Sequence, residues 1–549
     1  MAWLIASPVT YFVFGFLKNF FESQISLAIW GIIWQTAFVL IAYFLLREIF
    51  TRFKFADHGL IAFGILLAFG FGSAVVWLCM QFPNIFDADL FLVPKSDLPL
   101  LIGLVLASAL WIGFPLYWIQ ARGLDSNRFV DFLRANLPGL LLAAAFFIVY
   151  FSLAVAYSVV LRDPTQNYDD NFYDADPTSW MNRLAAPFHQ LVDMRPVHPF
   201  AFLVFRPTTW FLSLFLSGNR FYAALMLNAG VGALCVFLAW VLVKRWTNST
   251  YAVLFASLLG AGTAHLILST FLETYIYSAA VLITFLILLQ REKKSLAVLI
   301  PVGLLTFGIT ISNFLQTCIY FLFTEPKVLK ITKYVVSVLA LGLILAYVQA
   351  SIYPTSLPFY NLTDMLAERR YSFNVVTSPV RQTITRGYSI YRTITLYSTV
   401  APRPLALTKQ IDCKFPCFKT YKPQYPKDII TSYSGFGSWL ARFWFLIEMI
   451  ALGLFIWKLI KSRSDIALQS AFLVCILFNF ILHLTYGDDP MLYSPDWTYA
   501  VIFFVAFSFK SFADKKWFQA TGLAFLALVM FNNWTFLRSM FQIVSPYIK

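Results

Sequence analysis

Two apolar regions of the chain are separated by the polar stretch LRDPTQNYDDNFYDADPTSWMNRLAAPFHQLVDMRPVHP, residues 161–199. Its charged and histidine side chains are Arg162, Asp163, Asp169, Asp170, Asp174, Asp176, Arg183, His189, Asp193, Arg195 and His198. Charged groups beside a membrane are costly to desolvate, so their concentration between apolar segments indicates a chemical role. We expect this stretch to be a catalytic loop, held by helices that are embedded in the bilayer.

The composition of the whole chain is that of a membrane protein. Of its 549 residues, 60% are hydrophobic and 12% are charged, whereas soluble domains carry about 25% charged residues. A bilayer-crossing helix needs about 20 mostly apolar residues, and about 13 to 15 segments qualify, several of them short. We therefore expect an all-α polytopic membrane protein. The net charge of +14 is explained by cytoplasmic loops and lipid phosphates, so we expect no nucleic acid partner.

Basic residues divide the connections between the apolar segments into two sets. The basic clusters lie near residues 47–54, 122–134, 244–245, 291–294, 327–333, 458–463 and 510–516. They fall in alternate connections, and the positive-inside rule places them in the cytoplasm. The other connections carry nearly all the acidic clusters and are expected on the exoplasmic side.

This topology divides the chain into four parts. They are N-terminal helices at 1–136, a core at 137–353 with its first exoplasmic loop at 161–219, a long ordered basic exoplasmic loop at 354–437, and C-terminal helices at 438–549. Counting residues 200–216 as a span would reverse the later connections. We therefore expect them to lie along the membrane surface.

The motif FYDADPTSW, residues 172–180, places Asp174 and Asp176 two residues apart. In an extended segment that spacing directs both side chains to one face. Two carboxylates on one face can hold a divalent cation, or can divide their roles so that one acts as a general base. A solvated acidic turn is the alternative, and Pro177 supports it. We expect Asp174 and Asp176 to be catalytic.

A long first exoplasmic loop with paired acids, a surface helix after it and about a dozen spans resembles the GT-C superfamily of polytopic glycosyltransferases. That family includes protein O-mannosyltransferases and the aminoarabinose transferase of lipid A. RPVHPF at 195–200 and FLETYIYS at 271–278 resemble patches of bacterial members, and the overall resemblance covers residues 137–537. The helices before residue 137 precede the first span of the family, and the W-W-D acceptor motif of oligosaccharyltransferases is absent, which argues against asparagine-linked transfer.

The resemblance implies transfer of a sugar from a polyprenyl-phosphate donor to an acceptor hydroxyl, with inversion at the anomeric carbon. The reaction would take place on the exoplasmic side of the bacterial inner membrane, with Asp174 or Asp176 as the base. The expected partners are a lipid-linked sugar donor, membrane lipids and a glycan, lipid or protein acceptor. No cofactor is expected apart from a possible divalent cation held by the same two acids.

Further polar residues are candidates for binding these substrates. Glu273 lies at a turn between two apolar helices, where a carboxylate needs a partner, and a helix-end glutamate in water is the alternative. His198 can neutralise a phosphate or bond a sugar, and a structural histidine is the alternative. A second acidic patch on the same side is formed by Asp488, Asp489 and Tyr493, and a polar connection between helices is the alternative. Arginine stays charged beside lipid and binds phosphate through two hydrogen bonds. The candidates for the donor phosphate are Arg183, Arg195, Arg369 and Arg370.

Two other classes of protein fit the same composition. A transporter or flippase for a lipid-linked or anionic substrate predicts ionisable residues at mid-span. The sequence offers His265 and a few others, and we expect His265 to be a hydrogen-bonded core histidine. A non-catalytic scaffold of a membrane complex is the second alternative.

Overall fold

The computed structural model describes residues 1–52, 55–121, 128–162, 166–187, 191–290, 295–325, 327–407, 415–422, 429–461 and 466–548. Asp163 and His189 lie outside these residues, as do parts of several basic clusters. The structure is 77% helical with very little sheet. Nine helices within the described residues are long and apolar enough to cross a membrane. The predicted all-α polytopic membrane architecture is therefore confirmed.

The helices, in chain order, are α1 (Ala2–Leu17), α2 (Gln24–Arg52), α3 (Phe55–Met80), α4 (Leu98–Trp111), α5 (Gly113–Ala121), α6 (Arg128–Tyr157), α7 (Pro177–Ala185), α8 (Ala201–Ser213), α9 (Arg220–Trp246), α10 (Ser249–Ala261), α11 (Thr263–Leu268), α12 (Tyr275–Leu289), α13 (Leu296–Ile309), α14 (Ile311–Thr324), α15 (Val328–Ile352), α16 (Leu362–Ala367), α17 (Val380–Arg392), α18 (Gly435–Lys461), α19 (Ala467–Thr485), α20 (Pro495–Ser508) and α21 (Lys516–Val544). The strands are β1 (Leu405–Leu407), β2 (Cys417–Lys419), β3 (Tyr421–Lys422) and β4 (Ile429–Ile430). β1 pairs with β2, and β3 with β4, both antiparallel.

The basic connections meet at one end of the helix bundle. The Lys244 ammonium donates a hydrogen bond to the carbonyl oxygen of Ala135, which joins two of the basic clusters. Asn248 Nδ2 donates to the carbonyl oxygen of Ala513 at 2.9 Å, which brings a third cluster to the same place. We call this the basic end, and the opposite one the loop end. The arrangement agrees with the alternation of charge along the sequence.

Several helices that begin or finish at the basic end are too short to cross a bilayer. α10, α12, α13, α14 and α20 contain 13, 15, 14, 14 and 14 residues, which corresponds to about 20–22 Å, against a hydrocarbon layer of about 30 Å. Longer helices such as α6 and α9, with 30 and 27 residues, stand beside them. The short helices therefore leave a recess at the loop end, and polar connections fill it.

One of these connections enters the bundle. Residues 380–401 consist of α17, a π-helical segment at Thr393–Tyr397 and a non-helical turn. In that turn Asn533 Nδ2 donates to the carbonyl oxygen of Thr399 at 2.9 Å, and Asn533 Oδ1 accepts from the N–H of Ala401 at 2.8 Å. We call residues 380–401 the re-entrant segment.

The depth of the re-entrant segment follows from the position of Asn533. This residue lies about 25 Å along α21 from Lys516 at the basic end, at 1.5 Å per residue. That position is inside a hydrocarbon layer of about 30 Å that begins there. Non-helical backbone is tolerated at such depth only where protein satisfies its polar groups, which Asn533 does. The side of the membrane on which residues 354–437 lie stays a prediction, but residues 399–401 are bound to a helix of the bundle.

Helix α8 occupies the place predicted for a surface helix. Trp210 and Phe211 are 53% and 54% exposed, while Phe202 and Phe205 are buried. An apolar outer face with aromatic side chains suits a helix at the membrane boundary. The buried face packs onto α7 and α9. Helix α8 therefore connects the polar stretch of residues 161–199, called the acidic stretch below, to the bundle.

Candidate functional site

The amino end of α7 is capped by an acid from outside the helix. Asp169 Oδ1 accepts hydrogen bonds from the N–H groups of Thr178 at 2.9 Å and Ser179 at 3.1 Å. These N–H groups have no partner within the helix, and a carboxylate at this end is also stabilised by the positive end of the helix dipole. Asp176 occupies the capping position itself, but its side chain makes no capping hydrogen bond. The carboxylate of Asp176 is therefore left for another role.

The carboxyl end of α7 is held by two arginines. The guanidinium of Arg206 donates to the carbonyl oxygens of Arg183 at 2.8 Å and Ala186 at 2.9 Å. Arg183 itself is 5% exposed; its Nε donates to the carbonyl oxygen of Asp193 at 3.1 Å. Its guanidinium also lies 4.8 Å from the ring centre of Trp180. Arg183 is thus a buried cation that also interacts electrostatically with Asp176 and Glu273, and its role as a ligand of the donor phosphate stays a prediction.

The two predicted catalytic acids do not share a face. Tyr173 and Asp174 have φ angles of 57° and 60°, a left-handed conformation that turns the chain instead of extending it. The Asp174 carboxylate forms an ion pair with Lys419, and among the described residues its Oδ2 has no hydrogen-bond partner. Asp176 lies beside Glu273 instead. The prediction of an extended Asp174–Asp176 pair is wrong because of this turn.

The half-buried Asp176 lies beside the buried Glu273, and the two residues form an acidic pair. The N–H of Asp176 donates to Glu273 Oε1 at 2.7 Å, and the N–H of Thr274 donates to Glu273 Oε2 at 3.2 Å. Burial, reinforced by the charges of Asp169 and Asp170, raises the pKa of Asp176 to about 7. Burial, reinforced by the charge of Asp176, raises the pKa of Glu273 to about 8. Near neutral pH this pair therefore holds one proton or more, which suits a general base or acid.

The long basic loop reaches the acidic stretch through a short backbone pairing. The N–H of Tyr173 donates to the carbonyl oxygen of Phe418 at 2.9 Å, and the N–H of Phe418 donates to that of Asn171 at 2.7 Å. β2 is thereby fixed against the turn that carries the acids. Two connections that are far apart in sequence therefore build one site.

Lys419, at the end of β2, is the cation at the centre of an acidic cluster. It forms an ion pair with Asp174 and interacts electrostatically with Asp489, Asp170 and Asp488. Burial lowers the pKa of Lys419, and these carboxylates oppose the shift. We call these five residues the lysine cluster. It neutralises part of the negative charge that the acids bring together.

The two acids of the second patch have different surroundings. Asp489 is buried, and its carboxylate accepts from the hydroxyl of Thr420 at 2.7 Å and from the N–H of Met491 at 2.9 Å. It therefore holds the basic loop in place and has little capacity for a substrate. Asp488 is exposed and remains a candidate for binding a sugar hydroxyl.

Arg195 is held by a residue of the basic loop. Its Nε donates to Glu368 Oε1 at 3.1 Å, and a second nitrogen pairs with Oε2. The same arginine donates to the hydroxyl of Tyr486 at 2.8 Å and lies 4.0 Å from the ring centre of Tyr371. Three connections of the loop end therefore meet at Arg195. Its orientation is fixed by two-point binding, which is stronger than a single contact.

The predicted arginine pair in the basic loop lies at the edge of the site. Arg369 and Arg370 are both exposed, whereas the preceding Glu368 is buried. The guanidinium of Arg370 lies 4.8 Å from the ring centre of Tyr371, the ring that Arg195 also contacts. Arg370 is thus connected to the site through an aromatic ring, whereas Arg369 has no such contact within the described part of the chain.

His198 has the structural role that was the alternative in the sequence. Its Nδ1 lies 2.6 Å from the carbonyl oxygen of Ile309, so Nδ1 carries the hydrogen and donates. Burial, reinforced by the charge of Arg195, lowers the pKa of His198 to about 3. A neutral, buried imidazole does not neutralise a phosphate. The hydrogen bond attaches the acidic stretch to the end of α13.

Tyr493 belongs to an aromatic stack under the lysine cluster. Its ring lies 4.1 Å from that of His483 and meets the ring of Tyr275 edge-on at 5.0 Å. Gly487 permits this packing, because its φ is +82° and a Cβ there would come within 2.4 Å of the Tyr493 ring. Arg386 donates to the carbonyl oxygens of His483 and Gly487 and so caps the end of α19. Tyr493 is therefore buried and packs against other aromatic rings below the exposed Asp488.

Three ionisable side chains lie inside the bundle, away from this site. His265 is fully buried, and neither ring nitrogen has a hydrogen-bond partner among the described residues, so the prediction of a hydrogen-bonded core histidine is wrong. Glu448 is buried at the middle of α18, and its Oε1 likewise lacks one within the described part. Asp496 accepts a hydrogen bond from Asn313 Nδ2 at 2.8 Å.

The possible divalent cation does not fit the residues proposed for it. Asp174 is already paired with the ammonium of Lys419, which repels a metal ion. Among the described residues, no group of three or more His, Cys, Asp or Glu is arranged to hold a metal. Divalent cations prefer several oxygen ligands that converge, and the two acids diverge.

The sequence singled out most of the acids of the site but missed their partners. Lys419 and Glu368 belong to a long loop with many similar charged residues, and nothing in the local sequence distinguishes them. Asp170 was part of the acidic stretch but was not given a role. The pairing of β2 with the acidic turn would have identified Lys419, but strands this short have no sequence signal.

Comparison of the chain with models of known protein families, with curated proteins and with solved structures finds no match. The function must therefore be argued from the site itself.

The acidic pair predicts a dependence of stability on pH. Because the pKa of Glu273 rises from 4.5 to about 8 on folding, the native state binds more protons than the unfolded state between these values. The free energy of unfolding should therefore fall as the pH rises through this window. We expect Glu273→Gln to flatten that dependence and to raise the unfolding temperature at pH 8. Thermal unfolding in detergent between pH 5 and 9 measures both.

The matched control is Glu22→Gln, which removes an exposed carboxylate near the amino terminus. It should leave the dependence on pH as in the parent. If Glu273→Gln behaves like Glu22→Gln, Glu273 is ionised throughout this range and holds no proton near neutral pH.

Proposed function

We propose that the protein is an integral membrane glycosyltransferase of GT-C type. It transfers a sugar from a polyprenyl-phosphate donor to an acceptor hydroxyl, with inversion, on the exoplasmic side of the bacterial inner membrane. The observation that carries the proposal is the acidic Asp176–Glu273 pair at the loop end of a helix bundle. A base with a pKa near 7, located beside lipid, suits an acceptor alcohol and a donor that is soluble only in the membrane.

Asp176 is the proposed base. Its carboxylate takes the proton of the acceptor hydroxyl while that oxygen forms a bond to the anomeric carbon. The bond between the anomeric carbon and the phosphate oxygen breaks, and polyprenyl phosphate leaves with the electron pair. Glu273 is a positioning residue in this scheme, because its carboxyl group accepts the hydrogen bond from the N–H of Asp176.

The leaving phosphate needs positive charge at the membrane boundary. Arg195 and Arg370 both contact the ring of Tyr371, and Arg370 is exposed toward the loop-end surface. Arginine at this position can bind a phosphate through two hydrogen bonds without losing its charge. The lysine cluster, through its exposed member Asp488, would then face the sugar and the acceptor.

The experiment is a transfer assay with the full chain in proteoliposomes. The donors are polyprenyl-phosphate sugars with a radiolabelled sugar, and the acceptors are extracted lipids, glycans and membrane proteins. We expect transfer of label from at least one donor, with inversion at the anomeric carbon established by NMR. Turnover of no donor with any of the three acceptor classes would contradict the proposal.

A transporter or flippase is the second candidate, and one observation favours it. Glu448 and His265 are ionisable groups inside the bundle, as expected for such proteins. Movement of a fluorescent polyprenyl-phosphate lipid between leaflets, without sugar transfer, would support this class. Loss of that movement in Glu448→Gln would assign the residue to it.

A further inference from the structure

A polar cavity lies beside the exit of the re-entrant segment. It has a volume of about 260 Å³ and is lined by Arg403, Ser434, Thr535 and Ser539 together with the aromatic rings of Phe436 and Phe531. Its walls are the turn that follows residue 401, the first turn of α18 and one face of α21. Arg403 is exposed. The cavity thus offers a cation and three hydroxyl groups close to the lipid-facing surface.

A second, apolar groove runs along the neighbouring face of α21. It has a volume of about 620 Å³ and lies between α3 and α21, from Phe63 past Gly70 to Trp77 on α3. The fourteen-residue rise from Phe63 to Trp77 corresponds to about 21 Å. This exceeds the depth of one leaflet, about 15 Å or half of the hydrocarbon layer. An extended acyl chain therefore fits along the groove.

The cavity and the groove adjoin on α21. Phe531 lines both of them. Trp534, which also lines the groove, lies 5.9 Å from the guanidinium of Arg538, one turn nearer the loop end. Arg538 is exposed. A molecule with its tail in the groove would therefore have Arg538 and Arg403 on either side of its head.

We propose that this surface binds an anionic membrane phospholipid. The phosphate of the lipid lies between Arg403 and Arg538, the ester carbonyl and headgroup oxygens face Ser434 and Ser539, and one acyl chain occupies the groove of α3 and α21. Arginine near the membrane surface favours anionic over zwitterionic headgroups. This inference does not depend on the proposed sugar transfer.

The position of the cavity favours a resident lipid over the sugar donor. Between Arg403 and the acidic site lies a hydrogen-bonded layer: Thr431 donates to the carbonyl oxygen of Arg403 at 2.6 Å, its N–H donates to that of Thr420 at 2.8 Å, and Thr420 is bound to Asp489. A headgroup at Arg403 is therefore separated from the carboxylates. A lipid there would instead brace the re-entrant segment from outside.

The test uses the full chain in nanodiscs with two photoactivatable lipids, phosphatidylglycerol and phosphatidylcholine, each with the reactive group on an acyl chain. We expect phosphatidylglycerol to label peptides of α3 and α21 at least tenfold more than phosphatidylcholine. Arg403→Gln and Arg538→Gln should each reduce this preference about fivefold, in line with roughly 1 kcal/mol per arginine. Gly70→Leu fills the groove where a Cβ meets no atom within 4 Å, and should abolish labelling of the groove by both lipids.

The controls are Arg442→Gln, an exposed arginine on α18, and Gly453→Leu, where a Cβ likewise meets no atom within 4 Å. Both should label as the parent does. Equal labelling by the two lipids, or arginine variants that keep the preference, would overturn the proposal. Competition of the labelling by unlabelled polyprenyl phosphate but not by unlabelled phosphatidylglycerol would overturn it as well, since the groove would then belong to the donor.

Discussion

Asp176→Asn should reduce sugar transfer by about 10²–10⁴-fold, the usual contribution of a general base. The amide cannot accept the proton of the acceptor hydroxyl, while its size and its place at the start of α7 are unchanged. The same variant should unfold at an equal or higher temperature at pH 8, because it removes a carboxyl group whose ionised form is disfavoured by burial. Transfer in proteoliposomes and thermal unfolding measure the two effects.

Asp174→Asn is the matched control, since it makes the same change two residues away. Asp174 is bound to Lys419 and not to Glu273, so Asp174→Asn should weaken the lysine cluster. It should reduce transfer by no more than about tenfold, which is a much smaller loss than that expected for a base. A larger loss of transfer in Asp174→Asn than in Asp176→Asn would reverse the assignment of the base.

Lys419→Met should destabilise the fold of the loop end by about 3–5 kcal/mol, the usual cost of removing one partner of a buried ion pair. The Lys419 and Asp174 side chains are 20% and 11% exposed, so water screens the remaining carboxylates of the cluster only in part. Lower pH should relieve the defect, because protonation removes the repulsion. Thermal unfolding at pH 5 and pH 8, together with protease cleavage near residue 420, reports the change.

The control for this prediction is Lys422→Met, a lysine of the same loop in the neighbouring strand β3. It should alter the unfolding temperature little, because this lysine makes no ion pair within the described residues. The double variant Lys419→Met/Asp174→Asn should recover part of the stability, since it removes one of the unpaired acids. If Lys419→Met and Lys422→Met unfold alike at both pH values, the cluster contributes no stability.

The sequence predicts the acids of the site for a clear physical reason. In a chain with 12% charged residues, each carboxylate next to an apolar segment carries a high desolvation cost, so Asp176, Glu273 and Arg195 stand out. The grouping of the basic connections at one end follows from the same desolvation cost, because charged residues stay outside the bilayer and the positive-inside rule places the basic ones on one side. Which acid contacts which base does not follow, because the left-handed turn at Asp174 reverses the direction that an extended strand would give.

The re-entrant segment could not be predicted from hydropathy. Its sequence, VRQTITRGYSIYRTITLYSTVA at 380–401, is too polar to be counted among apolar segments. It reaches the bundle because Asn533 satisfies the backbone of Thr399 and Ala401, and such contacts are set by tertiary structure. The short helices that leave the recess appear in the sequence only as apolar segments that are shorter than a full span of the bilayer, and their depth cannot be predicted from length alone.

The hydrogen bonds of Asn533 also constrain the order in which this molecule can be made. Asn533 belongs to α21, which emerges from the ribosome well after residues 380–401 have been synthesised. Until that helix is inserted, the backbone groups of Thr399 and Ala401 lack the hydrogen bonds of Asn533. The stretch is also too polar to be inserted into the membrane by its own hydrophobicity. The hydrogen bonds of Thr399 and Ala401 with Asn533 can therefore form only after one of the last helices has been translated, so folding of the loop end is completed late in biogenesis.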